Sequence, residues 1–140
     1  MNRRATSSDA WPESSRSRGT SWPEPARLSK AATSAIRRAL RSGGIAIASI
    51  SLWEIAALFA KGRLRSRGTP ESSLEAILKA TGVSLREITP TIAVLATQFP
   101  SDFSPDPADR LIAATARADG LTLVTRDERI RASALVRTIW

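Results

Sequence analysis

The sequence has 140 residues, enough for one compact domain but not for two. It contains no Cys and no His, which excludes disulfides, thiolate metal sites and a histidine general base. A metal held by side chains must therefore bind oxygen, which favours Mg²⁺ or Mn²⁺ over Zn²⁺. The formal net charge of +8 suits a polyanion such as RNA, or an acidic protein, and a general arginine-rich composition explains it equally well.

The composition changes at Leu28. Residues 1–27 contain no Leu, Ile or Val and are rich in Ser, Arg and Pro, so they cannot bury enough apolar surface to offset the entropy of ordering. We predict that this segment is disordered and that residues 28–140 form one folded domain. The sequence has no run of about 18 apolar residues and no apolar N-terminal stretch. We therefore expect a cytoplasmic protein that does not enter a membrane.

Helices and strands alternate along the folded part. In chain order, Ser29 caps a predicted helix that stops at Gly43-Gly44, and a short apolar strand follows at residues 45–49. Further helices are predicted over residues 51–61, 70–80, 90–98 and 107–119, with a helical turn over 127–132. Further strands are predicted over residues 84–88, 121–125 and 135–139. This alternation predicts an α/β domain with a mainly parallel central sheet flanked by helices.

Three acidic residues lie where the carboxyl ends of parallel strands are expected to meet. Glu54 is predicted in the first turn of the helix after strand 45–49, and Asp127 follows strand 121–125. Asp109 is predicted in the first turn of the helix that leads into that second strand. Ligands of open α/β sheets bind at this edge, and metal-assisted hydrolysis of a phosphodiester needs clustered carboxylates. The three acids are therefore candidate metal ligands.

Each acid also has a purely structural interpretation. Ser51 and Glu54 have the spacing of a capping box, which we weigh equally with a role in a site. Asp106, followed by proline, has the pattern of a helix cap, and we prefer that role for it. Asp109 has the position of an acid favoured by the helix dipole, and Asp127 that of a turn or cap residue.

Basic and aromatic residues near these acids give weaker signals. Arg63, Arg65 and Arg67 form a cluster on the loop at residues 62–69, where gripping RNA phosphates and plain solvation are equally expected. Arg126, together with Arg129 and Arg131, is a further phosphate-contact candidate, although a solvated charged face is the commoner explanation for any one of them. Trp53 is expected to pack in a core or an interface rather than to stack on a base.

Five stretches between about residues 26 and 140 carry a family resemblance. They read ARLSKAATSAIRRAL, IAIASISLWEIAALFAKGRL, ITPTIAVLATQFP, DPADRLIAATARADGLTLVTRDERI and the closing TIW. Together they resemble the VapC-type PIN-domain toxins of type II toxin–antitoxin systems. The combination of DPADRLIAATA with LVTRD is the most specific part, because the helix, the spacing and the strand-end acid all agree.

The resemblance implies a PIN-like fold and an endoribonuclease that hydrolyses RNA with Mg²⁺ or Mn²⁺. Carried over by motif, the catalytic, metal-binding acids are Glu54, Asp109 and Asp127. Asp106 is then an accessory residue, and Thr125 orients Asp127. The resemblance also implies a homodimer and a cognate antitoxin whose C-terminal segment blocks the acidic pocket.

One part of the family pattern has no counterpart in this sequence. Members of the family begin with an apolar strand that ends in Asp, of the form LLDTH, whereas residues 1–25 offer only Asp9 in a Ser-rich context. Because that strand lies in the middle of the sheet, we expect its neighbours to lack a ladder partner and the site to lack one metal ligand. The alternative function is therefore a catalytically impaired remnant that only binds an antitoxin. Our hypothesis for the N-terminal segment is a shifted reading frame or a degenerate gene.

Overall fold

A computed structural model describes residues 28–42 and 44–140 of the chain. The elements are α1 (Lys30–Ser42), β1 (Ala46–Ala48), α2 (Ile50–Ala60), α3 (Pro70–Thr81), β2 (Ser84–Arg86), α4 (Pro90–Thr97), α5 (Pro107–Ala118), β3 (Leu123–Val124), α6 (Glu128–Ala132) and β4 (Thr138–Ile139). The predicted order of helices and strands is confirmed, but each strand is shorter than the sequence indicated. The segment predicted to be disordered, residues 1–27, lies outside the described residues, so that prediction stays untested.

Most helices begin with a side-chain cap, and the sequence predicts those of α1 and α5. Ser29 accepts a hydrogen bond from the backbone N–H of Ala32 at 3.0 Å, at the start of α1. Three later helices, α3, α4 and α5, begin with a cap followed by proline, and each cap side chain accepts a backbone N–H. Proline suits the first helical position because it brings a helical φ and has no N–H to leave unpaired. Gly82 ends α3 in the left-handed conformation, with φ of 61°.

Helix α2 begins earlier than the sequence indicated. Ser49 stands at its cap position with helical backbone angles and makes no side-chain cap hydrogen bond. Because the helix begins at Ile50, Ser51 lies inside it and Glu54 is its fifth residue, beyond the first turn. The capping box proposed for Ser51 and Glu54 is therefore wrong, since Ser51 is not the cap.

The four strands form two separate parallel sheets. In one sheet β1 pairs with β2, with Ile47 opposite Leu85, and in the other β3 pairs with β4, with Val124 opposite Ile139. Across the described part of the chain, no strand joins the two sheets into the single central sheet that was expected. The α/β class is confirmed. The split agrees with the expectation that the middle strand is missing, because the neighbours of such a strand lose the partner that would connect them.

The hydrophobic core lies around α4, α5 and the C-terminal elements. Ala113 and Ala114 of α5 are fully buried, and Phe103 is 2% exposed. The ring of Phe103 stacks on that of Phe99, with centroids 4.2 Å apart. Helix α2 has no fully buried residue despite its apolar sequence, and Trp53 is 66% exposed, so Trp53 does not belong to the core. Of the helices that the structure describes, none has the length and apolar character needed to cross a membrane.

Candidate active site

Glu54 and Asp109 come together from two helices that are far apart in sequence. Both side chains are half-buried, Glu54 on α2 and Asp109 in the first turn of α5, and the two helices pack against each other. The pKa of Glu54 is raised above its ordinary value. Partial burial is the largest cause, and the negative charges of Asp109 and then Asp106 add to it. The carboxylates are thus close enough to repel each other, and a bound cation would relieve that repulsion.

No cation among the described residues offsets this charge. Neither Glu54 nor Asp109 forms an ion pair within residues 28–42 and 44–140. The ion pair found in these residues joins Arg86 to Asp119 at the surface, at 3.5 Å. Glu54 also accepts no hydrogen bond from a described residue. A partly buried carboxylate without such partners, as Glu54 is, favours binding a proton or a metal ion. We call Glu54 and Asp109 the acidic pair.

The loop before α5 holds Asp109. The hydroxyl of Ser104 donates a hydrogen bond to Oδ2 of Asp109 at 2.6 Å. The same hydroxyl oxygen accepts the backbone N–H of Asp106 at 3.3 Å. The Ser104 side chain is therefore enclosed between the helix cap and the acid, and it is buried.

Arg110, the neighbour of Asp109, fastens the same loop from the other side. Its Nε donates to the carbonyl oxygen of Ser104 at 2.8 Å, and its two terminal nitrogens donate to the carbonyl oxygens of Phe99 and Pro100 at 3.0 and 3.2 Å. Sequence reasoning missed both Ser104 and Arg110. A Ser two residues ahead of a helix cap is a weak local signal, because such hydroxyls bond to nearby backbone groups. No sequence signal shows which carbonyls a long Arg side chain reaches.

Asp106 and Asp127 both act as helix caps. Oδ1 of Asp106 accepts the backbone N–H of Ala108 at 2.9 Å, and Oδ1 of Asp127 accepts that of Ile130 at 2.9 Å. The hydroxyl oxygen of Thr125 accepts the backbone N–H of Asp127 at 3.1 Å. The structural interpretation given for both acids therefore applies, and the contact with Thr125 fixes the turn that carries Asp127.

Comparisons with known proteins show which family the chain belongs to. The family model of the PIN domain matches residues 25–134. This chain belongs to the PIN domain family. Ribonuclease VapC22 of Mycobacterium tuberculosis (strain ATCC 25618 / H37Rv) is 42% identical to it over 119 residues, which cover 84% of this chain and 88% of that protein. The predicted resemblance to VapC-type PIN domains is confirmed.

A solved structure supports the PIN fold independently. The crystal structure of VapBC2 from Rickettsia felis bound to a DNA fragment from their promoter matches with a TM-score of 0.59. The match covers 76% of this chain and 82% of that chain at 17% sequence identity, so it shows the fold alone.

The acidic pair of this PIN domain fits a hard cation, and Asp127 is not part of that pair. The described residues hold no group of three or more acidic side chains that could bind a metal ion. Asp127 is not among the charges that raise the pKa of Glu54, whereas Asp109 and Asp106 are. Two carboxylates still suit Mg²⁺, because this ion keeps several waters and is commonly held by one or two carboxylates plus substrate phosphates. Metal binding by Glu54, Asp109 and Asp127 stays a prediction.

The candidate RNA-binding arginines lie at the surface of the PIN domain. Arg63, Arg65 and Arg67 are exposed on the loop between α2 and α3, and Arg126 is exposed two residues after the end of β3. The backbone N–H of Arg67 donates to the hydroxyl of Ser73 at 3.0 Å, which anchors this loop to α3. The loop starts at the C-terminal end of the helix that carries Glu54, about 9 Å along the axis from that residue.

Proposed function

We propose that this PIN-domain protein is the toxin of a type II toxin–antitoxin system and hydrolyses RNA phosphodiester bonds as an endoribonuclease that uses Mg²⁺ or Mn²⁺. The observation that carries the proposal is the acidic pair, two half-buried carboxylates without a compensating cation among the described residues. The similarity to a protein named a ribonuclease supports RNA as the substrate.

The proposed roles follow from the contacts of each side chain. Glu54 and Asp109 supply carboxylate oxygens to the ion, and Asp106 adds negative charge beside Glu54. Asp127 is the proposed third ligand through the oxygen that its cap hydrogen bond leaves free, and Thr125 orients it. When bound, the ion would polarise the phosphate and activate a water molecule.

Partners are proposed on the same basis. Arg63, Arg65, Arg67 and Arg126 would contact RNA phosphates, which their exposure permits and which the chain's positive charge favours. The likeness to VapC22 and to the VapBC2 structure supports a cognate antitoxin. We propose that this antitoxin covers the acidic pair. A homodimer in the cytoplasm completes the proposal.

A cleavage assay tests the proposed activity. Purified protein is incubated with structured RNA and Mg²⁺ or Mn²⁺, with and without EDTA. We expect cleavage that EDTA stops and that Glu54→Gln or Asp109→Asn removes. Asp102→Asn is the matched control, because Asp102 is an exposed acid on the loop before α5 and lies outside the acidic pair. RNA that stays intact with both ions, or cleavage that survives Asp109→Asn, would contradict the activity.

The split sheet favours a second candidate function, a catalytically impaired PIN domain that only binds an antitoxin. The two sheets are not joined in the described part of the chain, and no three-acid group is assembled there. This candidate predicts a stable complex with a cognate antitoxin and no metal-dependent cleavage of RNA by the free protein. Co-purification together with the cleavage assay separates the two functions.

A further inference from the structure

Ser104 stands apart from the other buried polar side chain that the structure describes. Within residues 28–42 and 44–140, the buried polar or charged residues are Ser104, 5% exposed, and Thr115, 4% exposed. The hydroxyl of Thr115 donates to the carbonyl oxygen of Leu111 in its own helix, an ordinary local contact for threonine. The hydroxyl of Ser104 instead donates to a carboxylate of the acidic pair.

The direction of the Ser104 hydrogen bond is fixed by its neighbours. The backbone N–H of Asp106 donates to the Ser104 oxygen at 3.3 Å, so that oxygen serves as an acceptor there and its proton is directed to Asp109. The distance of 2.6 Å from the Ser104 oxygen to Oδ2 of Asp109 lies in the range of charge-assisted O–H···O⁻ hydrogen bonds. The hydroxyl therefore holds one particular oxygen of Asp109.

The backbone that carries Ser104 is held as firmly as its side chain. Arg110 binds the carbonyl oxygens of Ser104 and Phe99 at 2.8 and 3.0 Å. Between these two residues Phe103 is 2% exposed and packs into the core. The hydroxyl is thus presented to Asp109 by a loop anchored at several points, which is the support that precise placement of a ligand requires.

We propose that Ser104 is the positioning residue of Asp109. By holding Oδ2, it selects one orientation of the carboxylate and leaves Oδ1, which accepts no hydrogen bond from a described residue, available to a ligand. The consequence for metal binding and RNA hydrolysis rests on the proposed function, but the orientation of Asp109 does not.

The test compares Ser104→Ala and Ser104→Thr with Ser101→Ala, an exposed serine on the same loop. Loss of the hydroxyl in Ser104→Ala should lower Mn²⁺ affinity and kcat for RNA by about tenfold to a hundredfold and change KM little. Ser104→Thr, which keeps a hydroxyl, should recover most of both, and Ser101→Ala should behave as the wild type. Equal kcat and Mn²⁺ affinity in Ser104→Ala and wild type would overturn the proposal.

If the wild type neither binds Mn²⁺ nor cleaves RNA, the proposed function is rejected. The positioning role of Ser104 is then still tested by measuring the orientation of the Asp109 side chain. Three-bond NMR couplings report χ1 of Asp109 in the full chain. We expect one staggered rotamer in the wild type and averaging in Ser104→Ala, with amide spectra showing that both remain folded. An Asp109 side chain that averages in the wild type, or stays fixed in Ser104→Ala, would refute the positioning role even if the enzyme is active.

Discussion

Asp109 at the start of α5 raises the pKa of Glu54 on α2, so these two carboxylates act on each other across a helix–helix contact. Partial burial adds to the effect and is its largest cause. This arrangement disfavours the ionised form of Glu54 in the folded protein unless a cation binds. The acidic pair is therefore both a local source of instability and a site that attracts a metal ion.

Replacement of Glu54 by Gln should stabilise the metal-free protein at neutral pH. The folded-state pKa of Glu54 is raised, so folding penalises its ionised form, and stability is lost as the pH rises through that pKa. Glu54→Gln removes the penalty, and because the group is only partly buried we expect a Tm gain on the order of 2 °C. The gain should vanish well below the ordinary pKa of glutamate.

Thermal melts over a range of pH in the presence of EDTA measure this effect. Glu75→Gln, at an exposed position on α3, is the control and should leave the Tm unchanged. A Glu54→Gln variant less stable than the wild type at neutral pH would show that the carboxylate is compensated after all.

Substitutions of Asp127 separate its capping role from its proposed metal role. Asp127→Ala removes the acceptor for the N–H of Ile130 and should cost about 1 kcal/mol of unfolding free energy. Asp127→Asn keeps an acceptor oxygen, so it should retain most of that stability while losing RNA cleavage. Urea denaturation and the cleavage assay check the two effects. Equal RNA cleavage by Asp127→Asn and the wild type would contradict the metal-binding role of Asp127 and leave its helix-capping role as its function.

Arg110 should be irreplaceable by lysine despite the equal charge. Its guanidinium donates to three loop carbonyls at once, which a single ammonium group cannot reproduce. We expect Arg110→Lys to lose about 1–3 kcal/mol of unfolding free energy. Arg117→Lys on an exposed position of the same helix is the control and should change stability by less than about 0.5 kcal/mol. Similar losses in the two variants would mean that the loop contacts contribute nothing specific.

Supplying a middle strand should join the two sheets. The N–H of Ser49 and the carbonyl of Ile45 form hydrogen bonds with β2. Because successive residues of a strand direct their backbone N–H and C=O groups to opposite edges, those of Ala46 point to the other edge of β1, which no described strand pairs with. An LLDT-like strand placed in frame before residue 28 should raise the Tm and slow hydrogen exchange at Ala46 and Val124. A strand of the same length with its apolar residues changed to Ser is the control. Unchanged exchange at both amides would argue against a vacant strand position.

Local sequence patterns predicted the local structure best. Asp106 was predictable as a helix cap because a cap, a following proline and an apolar helix lie within a few residues of each other. The start of α2 was missed because Ser49 and Ser51 are both plausible caps, and only packing decides between them.

Long-range structure depended on the family resemblance. The sequence lacks the apolar strand with which family members begin, so we predicted that the neighbours of that strand would lack a partner. The two separate sheets agree with this prediction. The contact of Ser104 with Asp109 could not be predicted, because it depends on the path of a loop that Arg110 fastens through backbone carbonyls. Such contacts leave no periodic pattern in the sequence.

Calorimetric titration with Mn²⁺ tests most directly whether Glu54 and Asp109 together bind a divalent ion. The wild type should bind one ion, Glu54→Gln and Asp109→Asn should each weaken binding by at least about tenfold, and Asp102→Asn should bind as the wild type does. No binding by the wild type, or equal affinity in all four proteins, would contradict a metal site at the acidic pair.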